Sequence, residues 1–348
     1  MSESQELNSI IGHAHMGAVG YFEVELIHKP TGLIKRKLRF RNVITNALLD
    51  WAMGGGGGAF GAFPSYFFED GWAAIGSGTD SSGTAAYPPA VTDTTLRAEV
   101  ARTQSRGSPT IDVSGGYDTV GVYWWKKVTK VFLSGVGTNS NLTEVGLFSA
   151  SSGGTMFCRQ LFRDNAGNPT TIAKTADDEL RITYEFRIYP QQTSNTTTLT
   201  INSVSTTCTT RAYDVDSTST GRYGGNGTSQ NGLINQIGRN WNSSTGTVYN
   251  ASYSSNSMPA LTNEQTGTAT GPSAVSWGGY TNGTYYRDQS ITFLPGLGNL
   301  TIGSITWGAP NTQLGALFIT TFDPAFTKTD TQRAIFSGRF FFGRGTGV

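Results

Sequence analysis

Apolar and polar residues alternate along residues 17–41, and this period of two is the strongest constraint that the sequence places on the fold. Phe22, Val24 and Leu26 fall on one face of a first extended segment, and a second alternating segment follows it. A side-chain period of two is that of a β-strand. Residues 28–32 contain the proline and the glycine of a turn, so the sequence predicts a β-hairpin with one buried face.

The second strand of this hairpin carries Lys35, Lys37, Arg39 and Arg41 on its other face. Such a row is typical of a solvent-exposed surface, and an acidic partner protein is the alternative interpretation. The formal net charge of the whole chain is only +1. This balance does not favour binding to nucleic acid or to an anionic membrane surface.

Short apolar runs separated by Gly, Ser, Asn and Asp continue through the rest of the chain. Charged residues make up only 14% of it, and 45 residues are glycine. Glycine, serine, threonine and asparagine all have low helix propensity. The sequence therefore predicts an all-β protein of two β-sandwich-like domains. One short helix is expected over residues 43–53, capped by Asn42 or Thr45, and the glycines at 54–58 should not continue it.

The composition changes after Pro190, which suggests the domain boundary. Residues 191–348 hold only eight Lys and Arg and six Asp and Glu. We therefore expect one β-sandwich domain over residues 1–190 and a second over residues 191–348. Strands of the second domain are predicted near residues 199–206, 247–253, 290–294, 300–307, 314–322 and 333–343.

The ends of the two halves resemble each other in residue spacing. Lys174 precedes Phe186 by the same number of residues as Lys328 precedes Phe340. Each lysine is followed by threonine, a polar turn and an aromatic-rich strand. The two segments are predicted to form the same arrangement of strands, as in a duplicated module. Coincidence between two β-rich segments is the alternative.

The two closing strands differ in size at one position. Gly338 stands where the first segment carries Tyr184. Because glycine has no side chain, we expect a ring from a neighbouring strand to fill the space beside it.

Several classes of protein are not indicated by the sequence. It contains no apolar run long enough for a membrane-spanning helix, and its first residues lack the basic and apolar regions of a signal peptide. The three histidines all lie within residues 13–28, and no G-x-S-x-G motif occurs. We expect no enzymatic activity and no cofactor. Cys158 and Cys208 are predicted to be buried thiols, although one disulfide between them is arithmetically possible.

Two groups of acidic residues could in principle carry chemistry. Asp177, Asp178 and Glu179 cluster on a turn, and Asp214 and Asp216 have strand spacing. A calcium site or an acid pair is conceivable at Asp214 and Asp216, whereas solvated loops are the simpler interpretation of both groups. A glycan-cleaving enzyme would need two carboxylates about 5–10 Å apart in a groove.

The pair His13 and His15 was weighed as a metal site. On a strand, residues i and i+2 point to the same side. In a three-fold assembly, three such pairs would offer six imidazoles to one metal ion. The alternative is an exposed terminal arm, and no metal site is assigned.

The second half is rich in aromatic residues set among Asn, Ser, Thr and Gly. Aromatic rings stack on the apolar faces of sugars, and amides and hydroxyls bind their hydroxyl groups. Tyrosine is also enriched at protein interfaces. The candidate residues for a glycan site or an interface are Tyr249, Tyr253, Trp277, Tyr280, Tyr285 and Tyr286.

Several segments between residues 18 and 190 resemble structural proteins of tailed bacteriophages, in particular tail, baseplate and fibre-attachment proteins. In those proteins a V-T-N-x-G-L helix precedes a G-x-G strand, a T-D-T-x-L loop and an E-x-G-L-F strand. This chain departs from the pattern at Ala47, where the helix motif usually has glycine, and in its five-glycine run. The matching segments are residues 40–49, 75–78, 92–102, 143–148 and 159–162, with the turn at 174–175.

The resemblance implies a virion protein that is assembled in the host cytoplasm and binds other virion structural proteins. The first domain would attach to the tail, and the second would face outward or pack in a ring, in a trimer or hexamer. No catalytic residue carries over from the resemblance. The alternative is a receptor-binding protein that recognises a host-surface glycan, and a glycan depolymerase is the third hypothesis.

Overall fold

The computed structural model describes residues 10–54, 71–79, 87–106, 113–118, 120–191, 193–212, 247–250, 269–270, 273–296, 301–307 and 318–345. These residues contain 21 β-strands and one α-helix. The expected all-β fold with one short helix is confirmed.

The elements of the first half are β1 (Ile10–His28), β2 (Leu33–Arg41), β3 (Val43–Ile44), α1 (Asn46–Gly54), β4 (Trp72–Gly76), β5 (Glu99–Thr103), β6 (Val113–Asp118), β7 (Tyr123–Phe132), β8 (Ser140–Leu142), β9 (Glu144–Phe148), β10 (Met156–Leu161), β11 (Ile172–Lys174) and β12 (Asp178–Pro190). The elements of the second half are β13 (Asn195–Ile201), β14 (Val204–Ala212), β15 (Thr247–Asn250), β16 (Ala269–Thr270), β17 (Ala274–Trp277), β18 (Tyr286–Phe293), β19 (Thr301–Trp307), β20 (Phe318–Thr327) and β21 (Ala334–Arg344).

The described residues form two compact units. The N-terminal unit comprises those of Ala18–Gly116, Trp124–Ile188 and Arg344–Val348. The C-terminal unit comprises those of Met1–Gly17, Tyr117–Tyr123 and Tyr189–Gly343. The division near Ile188 lies close to the expected boundary at 190, but the start of β1 groups with the C-terminal half instead of the first domain.

The N-terminal unit is sandwich-like, with two main layers. In one, β12 lies between β1 and β7, and β2 pairs with β1 as the predicted hairpin. The other is a five-stranded sheet in the order β3-β10-β9-β4-β5. Aromatic rings fill the core, where Phe22 packs between Phe40 and Tyr184, and Phe40 meets Phe162 edge-on at 6.2 Å.

The C-terminal unit has the same layered character. One layer contains β17, β18 and β21 beside the start of β1, and the other is a six-stranded sheet in the order β13-β14-β20-β19-β15-β16. Its core is also aromatic. Phe318 packs against Phe340 with ring centroids 5.4 Å apart, and Phe322 packs against Phe336 at 5.9 Å.

The helix begins later than the sequence predicted. The Thr45 hydroxyl accepts a hydrogen bond from Leu48 N at 3.3 Å, so Thr45 is the N-cap. Val43–Ile44 instead forms β3, which pairs with β10. The predicted span of 43–53 was therefore wrong at its start, because a strand distant in sequence recruits those residues. The helix ends at Gly54, and the other four glycines of the run lie outside the described residues.

One predicted strand of the second half was wrong. Residues 199–206 were expected to be continuous, but the chain turns at Asn202 and Ser203 between β13 and β14. Both turn residues have positive φ, 49° and 65°. Without a glycine or proline, this turn has no strong signal in the sequence.

The segments 143–190 and 301–343 share an arrangement of strands. In each, an antiparallel pair in one sheet (β9 with β10, or β19 with β20) precedes a closing strand in another sheet. The closing strand β12 lies between β1 and β7, and the closing strand β21 lies between β18 and β1. The origin of the two segments by duplication stays a prediction.

A buried lysine occupies the same place in both segments. Lys174 Nζ donates to Leu133 O at 3.0 Å and to Ser134 O at 3.3 Å, and Lys328 Nζ donates to Leu294 O at 3.2 Å. Leu133 and Leu294 directly follow β7 and β18, the strands that pair with the two closing strands. A buried ammonium group needs hydrogen-bond acceptors, and each lysine finds a carbonyl oxygen where a neighbouring strand ends. Burial lowers the pKa of both ammonium groups.

The indole of Trp307 fills the space beside Gly338, as expected for a neighbouring ring. A Cβ atom at position 338 would lie 3.0 Å from the nearest indole carbon. Trp307 is only 1% exposed, and its Nε1 donates to Thr320 Oγ1 at 2.7 Å. The ring is therefore held in place by both packing and a hydrogen bond.

Candidate functional site

Four of the six aromatic candidates lie in one hairpin of the C-terminal unit. Trp277 ends β17, Tyr286 begins β18, and Tyr280 and Tyr285 lie in the loop between them. Tyr249 lies on β15 in the other sheet. Tyr253 lies outside the described residues, so the six do not form one described surface.

The loop of this hairpin is held by its own polar groups. Arg287 donates from Nε and Nη2 to Gly278 O at 3.1 and 2.8 Å, and the Thr284 hydroxyl donates to Thr281 O at 2.7 Å. Tyr285 has a φ of 56°, which turns the chain into β18. These contacts fix the positions of the two strands that carry the aromatic residues.

Trp277 and Tyr286 lie on opposite faces of the sheet. Trp277 packs against buried Phe340 with ring centroids 5.2 Å apart. Tyr286 packs against Phe341 at 5.5 Å, on the half-exposed face. Trp277 therefore lies partly buried on the inner face of the sheet, whereas Tyr286 lies on the outer face.

The outward surface around Tyr286 also contains both candidate histidines. The ring of His15 is parallel to that of Phe341 within 3°, with centroids 4.4 Å apart, and the ring of His13 lies 6.0 Å from Phe341. Phe341 is not among the candidate residues that the sequence indicated. Phe341 lies beside the histidines because β21 pairs with β1, although the residues are more than 300 positions apart. A local sequence pattern cannot predict such a pairing.

A charged pair completes this surface. Arg339 donates to both carboxylate oxygens of Asp288, at 2.7 and 2.9 Å, and its guanidinium carbon lies 3.9 Å from the centre of the Tyr286 ring. The hydrogen bonds that Arg339 donates to Asp288 raise the pKa of Arg339. We call the set His13, His15, Asp288, Tyr286, Arg339 and Phe341 the aromatic face. Its mixture of rings and one arginine–carboxylate pair is typical of protein interfaces.

The two histidines share a face of β1, as the strand period predicts. Burial, and to a lesser extent the charge of His13, lowers the pKa of His15. Among the residues that the structure describes, no group of three His, Cys, Asp or Glu side chains could hold a metal ion. A metal site shared between copies stays a prediction.

Three of the four motifs that carry the phage resemblance meet at one buried carboxylate. Glu144 Oε1 accepts hydrogen bonds from Arg97 N at 2.8 Å and Ala98 N at 3.1 Å, and Glu144 Oε2 lies 2.7 Å from Arg159 Nε. Glu144 and Arg159 are both 0% exposed. One side chain, that of Glu144, thus joins three segments: the E-x-G-L-F strand β9, the loop after T-D-T-x-L, and the strand β10 that carries Arg159.

Arg159 extends the same cluster to the T-D-T-x-L loop. Its Nη1 donates to Asp93 Oδ2 at 2.9 Å, and its Nη2 donates to Tyr87 O at 3.1 Å. The G-x-G motif lies against the carboxylate, because a Cβ at either Gly76 or Gly78 would be 2.7 Å from Glu144 Oε1. We call Glu144, Arg159, Asp93 and the two glycines the motif cluster. Every member is placed to hold loops and strands together.

The basic row of β2 is matched by acidic residues in the same sheet. Lys37 Nζ lies 2.7 Å from Glu23 and 2.8 Å from Glu25 of β1, and Arg39 lies 3.1 Å from Glu185 of β12. Lys37 and Arg39 therefore have carboxylate partners within the sheet, while both side chains stay about half exposed, and an acidic partner protein stays a prediction. Glu23 and Glu25 lie on the other strand of the hairpin, whereas Glu185 comes from β12, which the hairpin sequence alone does not place.

The acidic cluster at 177–179 is also engaged in ion pairs. Asp178 lies 2.9 Å from Lys35, and Glu179 lies 2.8 Å from Arg181 and 3.1 Å from Lys29. These hydrogen bonds and ion pairs outweigh the effect of burial and lower the pKa of both carboxyl groups. The candidates Asp214 and Asp216 lie outside the described residues.

Cys158 and Cys208 are both buried free thiols, as expected. Burial raises the pKa of each thiol to about 12. Since the thiolate is the reactive form, neither sulfur is a nucleophile at neutral pH.

None of the helices among the described residues has the length and apolar character needed to cross a membrane. Neither a protein-family model, nor a curated protein, nor a solved structure matches this chain significantly.

Proposed function

We propose that the chain is a non-enzymatic structural component of a tailed-bacteriophage virion, in the tail, baseplate or fibre-attachment region. It would act through contacts with other virion proteins and with further copies of itself.

The observation that carries this proposal is the motif cluster. The resemblance to phage structural proteins depends on four short motifs that are separate in the sequence. In the folded chain three of them, G-x-G, T-D-T-x-L and E-x-G-L-F, meet around Glu144 and Arg159, in a buried arrangement that positions loops. Motifs that act together as a framework support a resemblance in architecture more strongly than isolated matches would.

The aromatic face is the surface through which the C-terminal unit would bind its neighbours. His15 and Phe341 offer stacked rings there, and Arg339 and Asp288 offer a charged pair that can be covered without leaving either charge alone. Rings and arginine are enriched in the centres of protein interfaces.

The proposal can be tested on virions of the phage that encodes the chain. Purified particles would be analysed by mass spectrometry and by electron microscopy with antibody labelling. We expect the chain in the particles at several copies, with label on the tail or baseplate. Recovery of the chain only from the unassembled fraction of infected cells would contradict the proposal.

A second candidate function is recognition of a host-surface glycan. It is favoured by the position of Tyr286 beside Asp288 and Arg339, since a ring with adjacent polar groups is suited to a sugar. Binding of the purified chain to a glycan array, and loss of that binding in Tyr286→Ala, would support it. An array without a reproducible hit would leave the interface role as the better account of this surface.

A further inference from the structure

A cleft of about 590 Å³ opens in the N-terminal unit. Its walls come from β1 at Ala18–Gly20, from the end of β2 with β3, and from the loop that follows β10. Its volume lies within the ~300–1,000 Å³ of small-molecule sites. The aromatic face and the motif cluster do not include these residues.

Positive charge dominates the cleft. Four arginines line it, Arg39, Arg41, Arg163 and Arg344, whereas its one acidic residue is Asp164. Guanidinium groups stay charged at any pH that a folded protein meets. A cleft lined by charge of one sign concentrates ligands of the opposite sign.

Three of the four arginines are oriented by the protein backbone, and the fourth, Arg39, is held by its ion pair with Glu185 at 3.1 Å. Arg163 Nη1 donates to Gly167 O at 2.6 Å, Arg344 Nε donates to Ile44 O at 2.7 Å, and Arg41 donates to a carbonyl near the end of the chain. A guanidinium has five N–H donors in a fixed plane. Anchoring a guanidinium on backbone carbonyls restricts its motion before a ligand arrives, which lowers the entropic cost of binding.

The carboxylate of Asp164 is engaged by its own loop. Its Oδ1 accepts hydrogen bonds from Ala166 N and Asn168 N, both at 2.9 Å. The bond from Asn168 is the largest of the effects that lower the pKa of Asp164. The one acidic group of the cleft is therefore held on backbone amides, where it shapes the loop.

Asn42 supplies a second, independent observation. It lines the cleft and is only 7% exposed, and its Nδ2 donates to the Tyr184 hydroxyl at 3.3 Å. Its Oδ1 has no hydrogen-bond partner among the described residues. A buried acceptor without a donor is unfavourable by ~1–3 kcal/mol, so a ligand that brings a hydroxyl to this oxygen would be stabilised.

We propose that this cleft binds a small hydroxylated anion, that is, a carboxylate or phosphate with neighbouring hydroxyl groups, as in a sugar acid or a sugar phosphate. The arginines take the anionic oxygens, and Asn42 Oδ1 accepts from a hydroxyl. This site is separate from the proposed interface and does not depend on the proposed function.

The proposal is tested by titrating the full chain with four probes in a calorimeter: glucuronate, glucose 1-phosphate, glucose and acetate. We expect glucuronate or glucose 1-phosphate to bind, and to bind more weakly as salt is added. Their relative affinities identify the preferred anion. Glucose should bind at least about tenfold more weakly because it lacks the charge, and so should acetate because it lacks hydroxyl groups.

Variants locate the binding. Arg163→Gln should lower the affinity for the tighter-binding of the two anionic probes by about tenfold. Arg39→Gln is a second variant, for use if the loop does not fold without Arg163. The matched control is Arg181→Gln, which removes one positive charge from the same unit outside the cleft and should change affinity by less than about twofold. Absence of binding by both anions, equal binding of glucose, or equal loss in Arg181→Gln would overturn the proposal.

Discussion

At the scale of the residue, Gly338 sits where the C-terminal unit has no room for one more methyl group. The Trp307 ring against it is buried and tied to Thr320. We expect Gly338→Ala to lower the free energy of unfolding by about 1–3 kcal/mol, because the ring cannot move aside. Urea unfolding followed by tryptophan fluorescence measures the change.

The matched control is Gly343→Ala in the same strand, β21. An added Cβ there has no atom within 4 Å. This variant should stay within about 0.5 kcal/mol of the parent. Equal unfolding midpoints for the two variants would show that Trp307 does not constrain position 338.

The motif cluster gives a second prediction at this scale. Glu144→Gln keeps the shape of the side chain but removes the charge that faces Arg159, and both groups are 0% exposed. Disrupting a buried ion pair destabilises by about 3–5 kcal/mol. Glu25→Gln is the control, because its partner Lys37 is 57% exposed and such pairs contribute about 0–1 kcal/mol. Similar losses in both variants, measured by chemical denaturation, would contradict a structural role for the cluster.

The lowered pKa of His15 predicts a pH dependence of stability. The unfolded chain, with the ordinary value of 6.5, binds a proton more readily than the folded chain does. Stability is therefore lost as the pH falls through 6.5 towards the lowered pKa. His15→Gln should reduce the loss between about pH 7.5 and 5, which a series of urea unfolding curves over this pH range measures. An unchanged pH profile in His15→Gln would refute the assignment.

At the scale of the element, the two closing strands are each fixed by a buried lysine. Lys174→Ala and Lys328→Ala should each destabilise by about 1–3 kcal/mol, since carbonyl oxygens lose their donor and the core loses packing. Hydrogen exchange should show faster opening of β12 in the first variant and of β21 in the second. Lys127→Ala is the control, because that side chain is 37% exposed. A loss in only one of the two lysine variants would argue against a shared design.

The elements that the sequence predicted well are those with a local signal. The hairpin of β1 and β2 follows from alternation around the turn at Gly32, whose φ is 69°. The spacing of Lys174 and Lys328 predicted a shared arrangement of strands, but not that the lysines are buried. Long-range pairing explains the late start of the helix, because β3 pairs with a strand more than 100 residues away in the sequence.

The candidate site was predicted only in part. Tyrosine content indicated an aromatic surface, and Tyr286 is on one. Trp277 lies partly buried on the inner face, and Phe341 was missed, because adjacent residues of a strand face opposite sides and composition does not record which side is buried. The N-terminal strand was missed as well, since small residues and glycines from Ile10 to Gly17 hide the alternation.

At the scale of the whole molecule, the aromatic face predicts self-association. Sedimentation of the purified chain should give a species heavier than the 37.2 kDa monomer, in keeping with a trimer or hexamer. Phe341→Ala should shift the distribution towards monomer, because a central ring of the interface is lost. Tyr21→Ala is the control, as it removes an aromatic ring from the outward face of the other unit. A monomer at all concentrations, for the parent chain, would contradict the prediction.

The membership of β1 in both units has a consequence for inheritance. Its first described residues, 10–17, belong with a C-terminal unit encoded almost 200 codons downstream. A genetic crossover near codon 190 would therefore not exchange one intact unit for another. The C-terminal unit from the second parent would lack the residues of β1 that belong with it. Lineages that recombine at this point have to keep codons 10–17 compatible with the segment from codon 189 onward, so these two segments are expected to be inherited together.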